Sequence, residues 1–198
     1  MSRIYYMMGK SSTGKDTLYK RIFAKEELQL KTVIPYTTRP IREGEKEGVE
    51  YFFCDAKRVT ELEEAGKVIE RRDYNTIHGI WTYFTVDDGQ IDLENQDYLI
   101  IGTLESYHKM RDYYGKEVLV PIYIEVEDGE RLQRALNREK EQAVPKYEEM
   151  CRRFLADAKD FSEENLQNAE ISKRFINRNL NETEDEIVSY IQSFMCNK

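Results

Sequence analysis

The chain has 198 residues, 40% of them hydrophobic and 34% charged, and 30 Lys and Arg against 38 Asp and Glu leave a net charge of -8. Apolar runs alternate with polar ones along the whole length, which excludes general disorder and fits one large domain or a core with inserted subdomains. The acidic balance excludes a sequence-independent nucleic-acid binder, because polyphosphate repels a net negative surface, but leaves room for a locally basic pocket.

Read in chain order, Ile4 to Met8 is a continuous apolar run of strand length. It is too short for a signal peptide and no small-residue cleavage site follows, so a buried first strand is expected. Gly9 opens a polar loop, after which Leu18, Ile22 and Phe23 recur at helical spacing. Thr32-Val33-Ile34 reads as a second strand, ended by Pro35 and a polar loop over Thr37 to Glu45. Tyr51-Phe52-Phe53 reads as a short strand, and Asp55 is placed to cap a helix carrying Val59, Leu62 and Ala65 that Gly66 ends. Val68 to Glu70 and Trp81 to Val86 are strand-like, so residues 36–96 form a mixed insertion rather than a simple crossover.

Buried-strand patterns resume at Tyr98 to Ile101 and Val118 to Ile124, with Tyr107, Met110 and Tyr114 on the helix between. Leu132, Ala135 and Leu136 mark the next helix. The charged stretch Asn137 to Gln142 is expected to be a mobile polar segment before Pro145 opens a helix with Tyr147, Cys151, Phe154, Leu155 and Ala158. Phe175-Ile176-Asn177 reads as a late strand, and Ile187, Ile191 and Phe194 as the apolar face of a closing helix. This alternation predicts an α/β fold: a parallel sheet covered on both faces, with ligands at the carboxyl ends of its strands. No apolar stretch approaches the roughly 20 residues of a membrane helix. Cys54, Cys151 and Cys196 are odd in number and form no zinc spacing with each other or with His78 and His108, which points to a reducing, cytoplasmic setting.

The strongest chemical signal is Gly9-Lys10-Ser11-Ser12-Thr13-Gly14-Lys15-Asp16-Thr17. It fits G-x-x-x-x-G-K, with Asp16 where Ser or Thr is usual and Thr17 one place later. Between a strand and a helix, its glycines let backbone N–H groups turn inward, the helix presents its positive end, and Lys15 reaches terminal phosphates. Such a loop holds polyphosphate.

Downstream, Thr37-Thr38-Arg39-Pro40-Ile41-Arg42-Glu43-Gly44-Glu45 and Gly48-Val49-Glu50-Tyr51-Phe52-Phe53 carry the pattern T-T-R-x-x-R-x-G-E followed by G-x-[DE]-Y-x-F. With the P-loop, this compound motif resembles the guanylate kinases, and the likeness continues through Glu70, His78-Gly79, Arg134, Arg138, Arg153 and Asn177. The resemblance implies the P-loop nucleoside-monophosphate-kinase fold. Residues 1–35, 97–136 and 148–198 would form its core, residues 36–96 the monophosphate-binding insertion and residues 137–147 a lid. It implies Mg²⁺-dependent transfer of a phosphoryl group from ATP to GMP. ATP would lie on Gly9 to Thr17 with Asn177 facing its adenine, and Mg²⁺ would be met through Asp16 or Thr17. Arg39, Arg42 and Tyr51 would hold the acceptor phosphate, with Glu70, His78, Gly79 and Thr103 completing the acceptor site. Glu70 would accept from the N1–H and exocyclic amine of guanine. Lys15, Arg39, Arg138 and Arg153 would surround the transferring group.

Several positions depart from the family pattern. Lys10 and Pro35 replace the usual Pro and Ser, Thr103 stands where a base-contacting Asp is usual, and Ile77-His78-Gly79-Ile80-Trp81-Thr82 replaces an aromatic pair before Gly-Ser. Phosphate recognition is therefore intact and base recognition altered. A related kinase acting on another phosphorylated acceptor, such as a ribose bisphosphate, is the alternative within enzymes. A non-catalytic peptide-docking module is the alternative outside them, although such modules erode the P-loop that Gly9, Gly14 and Lys15 preserve here.

Overall fold

The computed structural model describes residues 2–76 and 79–195. The core is a four-stranded, wholly parallel sheet in the order β6-β1-β7-β8, formed by Tyr98–Ile101, Ile4–Met8, Leu119–Glu125 and Arg174–Ile176. All five residues of β1 are buried because the strand is central and covered on both faces. Its period of two divides the core. Ile4, Tyr6 and Met8 face a cluster with Leu104, Tyr107 and Met110 of helix α3 (Leu104–Tyr114) and Leu166 of α6 (Glu163–Asn168). Tyr5 and Met7 face Leu18 and Ile22 of α1 (Lys15–Phe23) and Ile187 and Ile191 of α7 (Leu180–Met195). The loops after β1, β6, β7 and β8 thus meet at one end of the sheet, the position of ligands in open α/β sheets.

The second sheet, in the order β3-β2-β5-β4, belongs to the insertion. Strands β4 (Val68–Thr76) and β5 (Gly79–Val86) form an antiparallel hairpin longer than the short strands expected, and β2 (Tyr36–Thr37) and β3 (Phe52–Phe53) add two residues each. Helix α2 (Ala56–Glu64) is capped by the Asp55 carboxylate, which accepts from the Arg58 amide, and packs Val59 and Leu62 against Phe84 and Val86. The capped helix before Gly66 is as expected.

Two expectations fail. Thr32 to Ile34 is not a strand: Lys31 alone makes a parallel bridge to Tyr98. The chain then turns toward the insertion at Pro35, and the ladder partner of Ile34 is a side chain. Gln90 accepts from the Ile34 amide through Oε1 (2.9 Å) and donates from Nε2 to the Ile34 carbonyl (3.1 Å). Nor is Asn137 to Gln142 a loop throughout, because α4 (Asp128–Lys140) continues through Lys140. Its Arg, Glu and Lys residues favour helix, and buried Glu139 ties the next turn by accepting from the Lys146 amide. The connection to α5 (Tyr147–Asp160) is therefore residues 141–146. No helix among the described residues is long and apolar enough to cross a membrane.

If Gln90 stands in for a strand, Gln90→Ala should destabilise the chain by about 1–2 kcal/mol, the cost of stranding one donor and one acceptor. Urea denaturation checks this, and an unchanged midpoint would contradict it.

Candidate active site

The loop between β1 and α1 is shaped by close contacts. A Cβ on Gly9 would lie 2.5 Å from the Ile124 carbonyl oxygen. Gly14 adopts φ +84°, and a Cβ there would meet Asn177 Nδ2 at 2.6 Å. Each position therefore demands glycine. Buried Asn177 donates from Nδ2 to the Thr13 carbonyl (2.7 Å), and Thr13 Oγ1 donates to the Lys10 carbonyl (2.8 Å). The outer rim is pinned by Asp157, whose Oδ2 accepts from the Ser11 amide (2.7 Å), and by an ion pair of Lys10 with Asp128 (3.2 Å).

Helix α1 follows Gly14 with no side-chain cap, as does α5 after Lys146, whereas Asp55, Thr103, Glu127 and Ser162 cap α2, α3, α4 and α6. Its first-turn amides and positive end are left for an anion. The buried hydroxyl of Ser12 in the same loop has no hydrogen-bond partner. The arrangement suits a polyphosphate, with Lys15 beside it, and the fit comes from the loop itself. A divalent ion has less support, since the described residues contain no cluster of three His, Cys, Asp or Glu able to hold one. Asp16 is exposed on the first turn, 3.3 Å from Lys15 Nζ, and Thr17 is exposed farther along α1. An ion such as Mg²⁺, which keeps several waters and binds through substrate phosphates, still fits a single Asp16 carboxylate.

Beside Ser11 and Ser12, a small cleft is lined by Arg131, Arg138 and Arg153. The structure thus brings Arg138 and Arg153 to the loop from two helices. Arg131, not singled out from the sequence, is fully buried, pairs with Asp128 and Asp157, and stacks on Phe154 at 4.0 Å. Its i,i+3 spacing from Asp128 signals the ion pair but not the burial. Arg134 is held by Glu130 and donates to the Asn177 carbonyl. Asn177 itself lies under the loop, its amide committed to Thr13, rather than on an open face where it would meet a base.

On the other side of Lys15 a cavity of about 580 Å³ is walled by Tyr51, Tyr74, Trp81 and Tyr83, with Arg72, Asp16 and Thr103 around it. It shares Tyr51, Arg72, Pro35 and Asp16 with a deeper cavity of about 330 Å³ that reaches Glu70. Thr103 also caps α3 by accepting from the Ser106 amide. Arg39 is buried beside this space. Its Nη1 and Nη2 donate to the two Glu45 oxygens at 2.8 Å each, and its guanidinium lies over Tyr51 and Phe53. Arg42 is exposed, its amide donating to Glu45. Burial raises the Tyr51 phenol pKa. Gly79 sits at the exposed hairpin tip, where its carbonyl accepts from Thr76, and His78 lies outside the described residues.

Glu70 is buried with both oxygens engaged. Arg72 donates from Nε to Oε2 (2.9 Å) and from Nη2 to Oε1 (3.2 Å), and Thr85 Oγ1 donates to Oε1 (2.9 Å). The sequence reading passed over Arg72, although a strand places residues two apart on one face.

The Arg39 fork and the Arg42 amide hold the Glu45 carboxyl down at about 2. With the folded pKa below the unfolded one, this pairing stabilises fully above about pH 4.5 and is lost as pH falls toward 2. Glu45→Gln should therefore flatten the fall in stability across that window, measured by thermal melts at stepped pH. An unaltered slope would contradict the pairing.

Comparison with known proteins extends this picture. The guanylate kinase family model matches residues 1–86. The chain is 40% identical over 68 residues to the guanylate kinase of Enterococcus faecalis, covering 34% of this chain and 33% of that one. It is 38% identical over 66 residues to that of Streptococcus mutans, covering 33% and 31%. The aligned stretch thus spans about a third of these curated relatives. A crystal structure of guanylate kinase from Anaplasma phagocytophilum superposes with a TM-score of 0.62 at 21% identity, covering 97% of this chain and 85% of that one. The likeness in sequence to the guanylate kinases thus lies in residues 1–86, and the chain as a whole has the guanylate kinase fold.

Proposed function

We propose that this protein transfers the γ-phosphoryl group of ATP to the phosphate of a nucleoside monophosphate, GMP first among them, in a reducing cytoplasm where Cys54 and Cys151 stay free thiols. One observation carries the reading. Lys15 stands between an uncapped, glycine-shaped phosphate loop and a separate cavity that the family's acceptor motif reaches through Tyr51. A donor on the loop and an acceptor in the cavity would meet at this lysine.

The loop amides and Lys15 hold the donor phosphates and offset charge on the transferring group. Arg39, set by Glu45 against two aromatic rings, and the exposed Arg42 grip the acceptor phosphate with the Tyr51 phenol. Arg138 and Arg153 approach the loop from α4 and α5, and movement of residues 141–146 brings them closer and excludes water. An acceptor phosphate oxygen attacks the γ-phosphorus, the bond to the β–γ bridging oxygen breaks, and ADP leaves. Mg²⁺, when bound, would neutralise donor phosphate charge, with the exposed Asp16 carboxylate on the first turn of α1 placed to meet its water shell. Little covalent chemistry falls to the protein: its part is positioning and fixed charge.

Lys15→Ala should lower turnover of ATP with GMP by at least about 10²–10³-fold, the usual loss when one donor to developing charge is removed. A coupled assay for ADP checks this alongside a melt showing a cooperative fold, and undiminished turnover would overturn the assignment.

A further inference from the structure

We infer that Arg72, braced by Glu70, reads the 6-oxo edge of the acceptor purine, so that the base is selected by a guanidinium rather than by the Glu70 carboxylate. The inference rests on the proposed phosphoryl transfer and specifies how the acceptor base is recognised.

A carboxylate reads the N1–H and 2-amine of guanine only if two acceptor positions face the ligand. Here three donors already occupy Glu70: Arg72 Nε on one oxygen, and Arg72 Nη2 with Thr85 Oγ1 on the other. The residue is 2% exposed. Exchanging these bonds for bonds to a base would leave the Arg72 charge unpaired in a largely buried place, which is costly.

Arg72 is differently disposed. Its hydrogen bonds go to Glu70 through Nε and Nη2, leaving Nη1 without a hydrogen-bond partner among the described residues. It lines both acceptor-side cavities, between buried Glu70 and the aromatic wall of Tyr51 and Tyr83. An arginine whose side edge is fixed by a carboxylate presents its end edge, one N–H from each Nη, as a rigid fork. Guanine offers two acceptors, O6 and N7, at the spacing of that fork, whereas adenine offers N7 beside an amine that repels a donor. The 2-amine takes no part. Aromatic rings beside the fork supply the apolar surface that a purine face needs.

The test compares GMP, IMP and AMP as acceptors for the wild-type protein with ATP and Mg²⁺, read as kcat/KM. IMP keeps O6 and N7 and lacks only the 2-amine. The inference predicts IMP within about threefold of GMP and AMP poorer by about 10–100-fold, the range for one bidentate base contact. GMP exceeding IMP by tenfold or more would return the reading to a carboxylate and overturn the inference, as would AMP equal to GMP, while phosphoryl transfer would stand in both cases. No transfer to any of the three would overturn the proposed function and the inference together. Arg72→Met should bring the GMP to AMP ratio near one with the KM for ATP unchanged. Because that change strands a buried carboxylate, Glu70→Gln/Arg72→Met removes both charges and carries the same prediction, and a retained GMP preference in the folded double variant would contradict the role of Arg72.

Discussion

Everything in the site depends on a backbone loop kept open by a side chain from the far end of the chain. The Asn177 amide holds the Thr13 carbonyl from below, Gly14 turns left-handed above it, and the first turn of α1 has no capping side chain of its own. A loop of peptide dipoles aimed at one point is unstable unless its outward carbonyls are paired, and here they are paired by buried groups. The parallel sheet is the reason these parts meet. β1 and β8 flank β7 and run parallel to it, so the residues after Met8 and after Ile176 emerge at the same end of the sheet, one strand apart.

A second layer of the design lies in how cations are stored. Arg39 is held by Glu45, Arg131 by Asp128 and Asp157, and Arg72 by Glu70. Each carboxylate fixes a guanidinium in one geometry and offsets its burial, so the order a phosphate or base would demand is already in place. Arg42, Arg138 and Arg153 are the exposed counterparts, Arg153 held only by a surface ion pair with Glu149 at 3.6 Å. The chain is acidic overall, yet Arg131, Arg138 and Arg153 gather in one cleft beside Ser11 and Ser12, and Arg72 and Arg152 line the cavity next to Lys15.

Much of this was legible in the sequence because the strongest signals are local. The run Ile4 to Met8 could be little but a central strand, and the glycines of Gly9 to Lys15 mark the turn from it into α1. Asp55, Gly66 and the apolar spacing between them specified α2 in full. What escaped was set by tertiary partners. Ile34 has a strand-like sequence but finds its partner in the Gln90 side chain, and two-residue strands such as β2 exist only because the long hairpin offers them an edge. The function of Arg72 was hidden for a related reason. A charged residue on a strand reads as solvated until the structure shows it turned inward onto a buried carboxylate two residues away. The family motif drew attention to Glu70 and away from the arginine that occupies it.

The central claim is that donor and acceptor phosphates meet at Lys15, one on the loop and one in the adjoining cavity. Calorimetric titration with a bisubstrate analogue, adenosine and guanosine joined through their 5′ positions by five phosphates, tests it directly. The account predicts one analogue bound per chain, displaced by either ATP or GMP and weakened by Lys15→Ala. Binding that only one of the two nucleotides displaces, or that Lys15→Ala leaves unaltered, would contradict it.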